Sequence, residues 1–327
     1  MAHRIKRREF MAIAAGSATW PMTGSARSGA TPQHVVVLSA ATDAVARLSV
    51  LRERLAASGY VEGRDIVLDI RSAEGHPERL SALAEALVQE GGVDAILAIS
   101  TPAAFAARRA TQTTPIVAIV GVDPVESGLV SSFAHTGGNV TGIAILADEV
   151  NAKRVELIRQ LAPHAVRLAA VTAIVGGGSL NIDSVRQTGR KLGFDVGLIV
   201  VNPDHLREAL GPSAVAGVDA FVFVPDVVLL SRRDEVVGLI SQTRKPAIFA
   251  ERDWVDSGGL VSYGPDFKEI TSRWTTQVIR VLRGEKPEDL PFERPTKLEL
   301  RVNLRAARTM GIEIPSMLLA RADEVIE

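Results

Sequence analysis

Hydrophobic and polar positions along this chain alternate between two periods. Short runs of β-branched and aliphatic residues, Val35 to Leu38, Ile66 to Ile70, Ala95 to Ile99, Ile116 to Val120 and Val140 to Ile143, read as buried strands. Between them lie longer stretches with apolar residues three and four apart, as in Ala44 to Ser58 and Pro77 to Glu90, a spacing that lays one apolar stripe along a helix. A second series follows, with strands at Leu168 to Ile174, Asp195 to Val200, Ala220 to Val224 and Ala247 to Phe249. Its helices are expected at Asn151 to Leu161, Leu180 to Leu192 and Arg232 to Thr243. Strands joined by crossover helices make parallel sheets, so the fold class is α/β with two similar halves. Their junction falls near Asn139 to Glu149, where a Gly-Gly-Asn turn precedes a strand and then a fresh helix.

The tail breaks a simple tandem. After Gly258-Gly259 come a strand, Leu260 to Tyr263, a helix from Phe267 to Arg283, a proline-spaced stretch from Lys286 to Thr296 and a strand from Leu298 to Val302. A third segment of this size suits a chain that crosses back to the first half and returns, with several strands serving as a hinge. The expected division is residues 34–143 plus about 257–290 in a first lobe, and 144–256 plus about 291–327 in a second.

The 327 residues, 46% hydrophobic and 23% charged, suit two globular domains. Net charge is −1, and no stripe of Lys and Arg with interleaved aromatics appears, so no nucleic-acid partner is expected. The absence of cysteine excludes disulfides, thiolate catalysis and cysteine-ligated metal. At the N-terminus, Lys6-Arg7-Arg8-Glu9-Phe10-Met11 precedes a mildly apolar run to about Trp20 and small residues at Gly24-Ser25-Ala26. That is the layout of an export signal over residues 1–26, and its arginine pair resembles the twin-arginine motif. Cleavage is expected after Ala26, with Ala30 as the alternative, and residence in the periplasm follows. No lipobox cysteine accompanies the signal, so no lipid anchor is expected. No later stretch reaches the roughly 18 apolar residues of a spanning helix.

Several stretches together resemble a known family: Val122-Asp123-Pro124-Val125, Gly137-Gly138-Asn139-Val140-Thr141-Gly142, Ser262-Tyr263-Gly264-Pro265, Pro295-Thr296-Lys297-Leu298-Glu299-Leu300 with Val302-Asn303-Leu304, and Leu318 to Glu327. Their order and spacing are similar to those of ABC transporter substrate-binding proteins related to tryptophan- and tyrosine-type uptake binding proteins. The resemblance implies a type I periplasmic-binding-protein fold, two Rossmann-like lobes joined by hinge strands. It further implies a small-molecule solute in the cleft between them and permease subunits as membrane partners. An amino acid, with aromatic ones among the candidates by resemblance, is the first solute class expected, and other small carboxylates come next. A monomer without cofactor or metal is expected. Where relatives carry an Asn-Pro-x-x-Pro-like loop, this chain has Val175-Gly176-Gly177-Gly178-Ser179-Leu180-Asn181. That loop joins strand to helix but lacks the Gly-x-Gly-x-x-Gly spacing of a dinucleotide site.

In open α/β sheets ligands sit beyond the carboxyl ends of the strands. Ser100-Thr101-Pro102 follows a strand and opens the helix Pro102 to Thr111, where hydroxyls and free N–H groups suit a carboxylate. A plain helix cap is the other reading. Asp123-Pro124 repeats the layout and reads either as an ammonium partner or as a cap. Asp226, after Pro225, offers an acid from the opposite lobe. Tyr263 offers a stacking face or a core side chain. Ser39 is a further candidate, Glu251 serves ligand or hinge, and Trp254 is a candidate cleft aromatic.

The rival class is an enzyme on the same scaffold. The six histidines show no metal-ligand spacing, and no Gly-x-Ser-x-Gly elbow is present, so the chain is expected not to be an enzyme. A carboxylate hydrolase built on Asp123 and Asp226 stays open at this point. So does a ligand-sensing module without transport, although an export signal stands where a regulator carries its DNA-binding head.

Overall fold

The computed structural model describes residues 31–40, 48–173 and 180–327, with two sheets. The first contains β1 (Gln33–Ser39), β2 (Ile66–Ser72), β3 (Ala95–Ile99), β4 (Ile116–Val120) and β5 (Val140–Ala144). Its helices are α1 (Ser49–Ala57), α2 (Leu80–Glu90) and α3 (Thr101–Ala110). Then come α4 (Ala147–Leu161), β6 (Arg167–Thr172), α5 (Leu180–Lys191), β7 (Asp195–Val200), α6 (Leu206–Leu210), β8 (Ala220–Phe223), α7 (Val227–Ser231) and α8 (Arg233–Thr243). The chain continues through β9 (Ala247–Phe249), α9 (Arg252–Asp256), β10 (Val261–Pro265), α10 (Phe267–Leu282), β11 (Phe292–Glu293) and β12 (Leu298–Asn303). It closes with α11 (Leu304–Met310), α12 (Ser316–Leu319) and β13 (Glu324–Ile326).

The first sheet runs β11-β5-β4-β3-β1-β2, all parallel. The second runs β13-β12-β10-β9-β8-β6-β7, parallel except where β12 pairs antiparallel with β10. Alternate side chains of each strand enter different cores. Val36 and Leu38 pack on one face of the first sheet, Val35 and Val37 on the other. In the second sheet Ala220 and Val222 face one way, Phe221 and Phe223 the other.

Two pieces of the tail lie elsewhere than expected. Strand β10, expected in the first lobe, sits between β9 and β12 in the second sheet, because its residues 261–262 pair with β9. Strand β11, expected in the second lobe, pairs with β5 in the first sheet, and Thr141 Oγ1 donates to Pro291 O at 3.1 Å beside it. The chain thus passes between the sheets after β5, after β10 and after β11.

At the second passage, a Cβ at Gly264 would stand 1.8 Å from Ala250 O and 3.1 Å from the Arg154 guanidinium, so only glycine fits. Arg154, fully buried on α4, donates to Tyr263 O at 2.6 Å, to Ala250 O at 3.0 Å and to Asn151. It binds the ends of β9 and β10 together where the chain leaves the sheet.

Candidate functional site

A cavity of about 380 Å³ lies between the lobes at the carboxyl ends of their strands. From the first lobe come Ile99, Ser100, Thr101 and Pro102 after β3, Gly121 after β4 and Ile145 after β5. Phe267, Lys268, Thr271 and Trp274 of α10 form a further wall. From the second lobe come Pro225, Asp226 and Val227 after β8, and Glu251 to Asp253 with Asp256 around α9. On one side the lobes touch, since Val228 joins the apolar cluster of Ala40, Ala73 and Leu80, and His76 Nε2 stands 3.9 Å from Asp204.

Ser100 occupies φ 127°, ψ 158°, a region that residues with a Cβ rarely adopt. Its Oγ accepts from Ala103 N at 3.3 Å, and Thr101 Oγ1 accepts from Gly121 N at 2.9 Å. A hydroxyl that accepts from the backbone still has its own proton to donate. Two such donors beside the start of a helix, where the backbone is electropositive, suit an anionic oxygen. The α10 wall adds the aromatic rings of Phe267 and Trp274. Trp274 is 1% exposed, with its indole N–H bound to Val117 O at 3.2 Å.

Asp226 has the other character. One oxygen accepts from Val228 N and Leu229 N at 2.9 and 3.0 Å, the other from Thr172 Oγ1 and Ala173 N at 2.8 and 2.6 Å. Although it lines the cavity, those acceptor sites are filled by the protein. Glu251, 3% exposed, accepts the Trp254 indole N–H at 2.8 Å and lies close to Arg154. Burial pulls Arg154 down to about 10, and Glu251 opposes that shift. Arg154 therefore stays charged at neutral pH, held beside Glu251 within the hinge.

The description "ABC transporter substrate binding protein" matches residues 30–326. The chain belongs to that family. It is similar to a tyrosine-binding protein of Clostridioides difficile, 28% identical over 273 residues, covering 81% of this chain and 77% of the relative. A conserved domain protein of Vibrio cholerae aligns at TM-score 0.80 and 26% identity, covering 90% of this chain and 100% of that one. An ABC domain of Streptococcus pneumoniae in complex with L-Trp aligns at TM-score 0.79 and 25% identity, with the same coverage. These neighbours show the periplasmic-binding-protein fold expected from sequence. Family membership makes the protein an extracytoplasmic solute-binding component that serves a membrane permease. Among the described residues no helix is long and apolar enough to cross a membrane.

Several stretches carrying the family likeness hold the binding-protein fold together. Asn139 Nδ2 donates to Thr111 O and Thr114 O, and Asn303 caps α11 through Ala306 N. Asp123, expected from sequence at the ligand, does not line this cavity. Its Oδ1 accepts from Val125 N at 2.8 Å and Glu126 N at 3.1 Å, while Pro124 is buried and its carbonyl accepts from Leu129 and Val130. Tyr263 also stands outside the lining, packed against the core of the second sheet. Ser39 is 1% exposed at the end of β1 and is not in the lining. Trp254 stacks on Phe249, with ring centroids 5.0 Å apart, inside the second lobe. The glycine run 176–178 lies outside the described residues.

Ser100, Thr101, Pro102, Asp226 and Glu251 are the expected site residues that the cavity brings together. It adds Asp253, Phe267, Lys268 and Trp274, which sequence reasoning missed. One signal for them was present. Phe267, Thr271 and Trp274 follow i, i+4, i+7 spacing along one stripe of a helix that starts where the chain changes lobes.

Proposed function

We propose that this protein captures an amino acid with a large apolar side chain outside the cytoplasm, as a monomer without catalytic activity, and delivers it to its permease. The carrying observation is that the Ser100 and Thr101 hydroxyls and the aromatic rings of Phe267 and Trp274 line one cavity. The donors take the carboxylate, and the wall takes the side chain. A tyrosine-binding relative and an L-Trp-bound neighbour support this solute class. Residues 1–26 are read as a twin-arginine-like signal removed after Ala26, which mass spectrometry of the exported chain checks.

Titration calorimetry against the amino acids, aromatic acids, sugars and nucleosides tests the reading. Saturable micromolar or tighter binding confined to amino acids supports it, and binding confined to sugars or nucleosides rejects it. Closure has its own test. A Cβ at Gly75 would lie 4.0 Å from Pro203 Cβ across the lobes, within the roughly 3.5–4.5 Å span of a disulfide, in a chain that has no cysteine. Oxidised Gly75→Cys/Pro203→Cys protein is expected to stop exchanging bound amino acid and to resume on reduction. Free exchange in the oxidised form counts against a clamp.

A further inference from the structure

A second cavity, of about 540 Å³, lies within the second lobe. Its walls are α8 at Ser241, the end of α9 with the Gly258 turn, α11 from Arg305 to Met310, and β13 at Ile326. Strands β12 and β13 belong to the second sheet, and α9 packs on β9, β10 and β12 of that sheet. The shape of this cavity therefore does not depend on how the lobes meet. Of its lining residues only Asp256 also lines the inter-lobe cavity.

Two ionisable side chains line it, Asp256 and Arg305. Asp256 Oδ1 stands 2.7 Å from Arg301 Nη1 and its Oδ2 3.6 Å from Arg252 Nε, and Arg301 also pairs with Glu324, so two cations and two anions cancel along one network. Arg305 is exposed, and its guanidinium makes no hydrogen bond or ion pair among the described residues. Two hydroxyls share its donor character. Ser257 Oγ accepts from Arg233 Nε at 3.2 Å and retains its own proton, and Ser241 Oγ has no hydrogen-bond partner among the described residues. Asn303 adds nothing, because its amide N–H goes to Val255 O and its oxygen accepts from Ala306 N. What is left unspent is one guanidinium fork and two hydroxyl donors, a set that matches the oxygens of a carboxylate or a phosphate. Met310 and Ile326 supply apolar lining, and the volume is many times the roughly 30 Å³ share of a water molecule, so there is room for more than a bare ion.

We infer that the second lobe carries a separate binding site for a small organic anion. Arg305, Ser241 and Ser257 hold its carboxylate or phosphate head, and Met310 and Ile326 take its hydrocarbon part. Because one lobe supplies every contact, occupancy needs no movement of the lobes and no solute between them.

Methionine methyl NMR locates such a ligand. Met310 lines this cavity and Met317, 64% exposed, does not, and they are the only methionines among the described residues. The full chain is titrated with pentanoate, pentyl phosphate and 1-pentanol, which share one tail and differ in the head. A saturable shift of the Met310 signal, assigned through Met310→Leu, is expected with the anions while Met317 stays still. The better anion should bind at least tenfold tighter than the alcohol. Tighter binding of pentanoate supports a carboxylic acid as the ligand, and tighter binding of pentyl phosphate supports a phosphate ester. Arg305→Gln is expected to weaken the better anion at least tenfold with the melting temperature unchanged. Thr101→Val, whose change lies in the inter-lobe cavity, is expected to leave the Met310 titration as in wild type. A Met310 signal that neither anion moves, an alcohol that binds as tightly as the anions, or a titration unaltered in Arg305→Gln overturns the site. So does a Met310 response that disappears in Thr101→Val, which would return the anion to the inter-lobe cavity. None of these outcomes bears on amino-acid capture, which calorimetry tests separately.

Discussion

Two strand-to-helix junctions face each other across the cavity, β3 to α3 at Ser100-Thr101-Pro102 and β8 to α7 at Pro225-Asp226-Val227. Each puts a capping residue at the end of a parallel strand. What differs is the hydrogen-bonding capacity left over. Ser100 and Thr101 each accept a backbone N–H and retain a proton, whereas Asp226 spends its oxygens on four donors. Position at the cleft thus makes a residue a lining residue, and unspent hydrogen-bonding capacity makes it a ligand residue. The strain differs too. Ser100 sits in a backbone region that glycine prefers, while Asp226 is ordinary extended backbone at φ −150°.

Removing the saturated junction is the largest expected effect. Asp226→Ala leaves Val228 N, Leu229 N, Ala173 N and the Thr172 hydroxyl without their acceptor. At about 1–3 kcal/mol for each buried group left unpaired, partly relieved by water, a loss of about 3 kcal/mol or more is expected in urea unfolding. Affinity in the folded fraction should hardly move. A stability change under about 1 kcal/mol would show that the four bonds are not what holds β8 to β6 at this end.

The open junction should answer in the reverse sense. Thr101→Val removes a donor to the ligand and is expected to weaken amino-acid binding about tenfold. Ser100→Gly is the sharper variant. Glycine relieves a backbone strain of order 1 kcal/mol and serves as an N-cap at a loss of only a few tenths. Stability should therefore hold or rise while affinity falls about tenfold. Affinity unchanged in both variants would put the carboxylate elsewhere in the cavity.

The same difference explains what was legible in the sequence. Strand and helix periods marked both sheets, because residues such as Val35 to Leu38 and Phe221 to Phe223 must alternate between two cores. Ser100-Thr101-Pro102 was legible as a junction because capping and proline placement are local. Whether Asp226 had capacity to spare was not, because two of its four donors, at Thr172 and Ala173, come from another strand over fifty residues earlier in the chain. Asp123 was ambiguous for the mirror reason, since its partners Val125 N and Glu126 N are so near in sequence that a cap and a ligand contact read alike. Strand β10 went to the wrong lobe because a short apolar run carries no label for the sheet it joins, and pairing with β9 decided it. Asp253 and Lys268 carry no local signature, because the cavity that they line is assembled from elements of both lobes.

The smallest expected effect comes from the far end of β8, where Asp219 repeats what Asp226 does but in reach of solvent. Its Oδ2 accepts from Val166 N at 3.1 Å and Arg167 N at 2.8 Å, and its Oδ1 from the Arg167 guanidinium at 3.0 Å, so that an aspartate fastens β8 to β6 at each end. The Arg167 side chain first, and its backbone N–H second, hold the Asp219 carboxyl below the usual carboxylate range. A carboxylate whose folded pKa is depressed stabilises the fold above its unfolded pKa, and that contribution is lost as pH falls below that value toward the folded pKa. Asp219→Asn is therefore expected to destabilise the protein modestly at pH 7, with the gap to wild type shrinking below about pH 4 as the carboxylate of the unfolded wild-type chain takes up its proton while the folded one stays ionised. Urea unfolding at pH 7 and pH 3 measures this. A gap that stays the same at both pH values would assign the effect of the substitution to lost backbone hydrogen bonds, as at the buried Asp226, and not to charge.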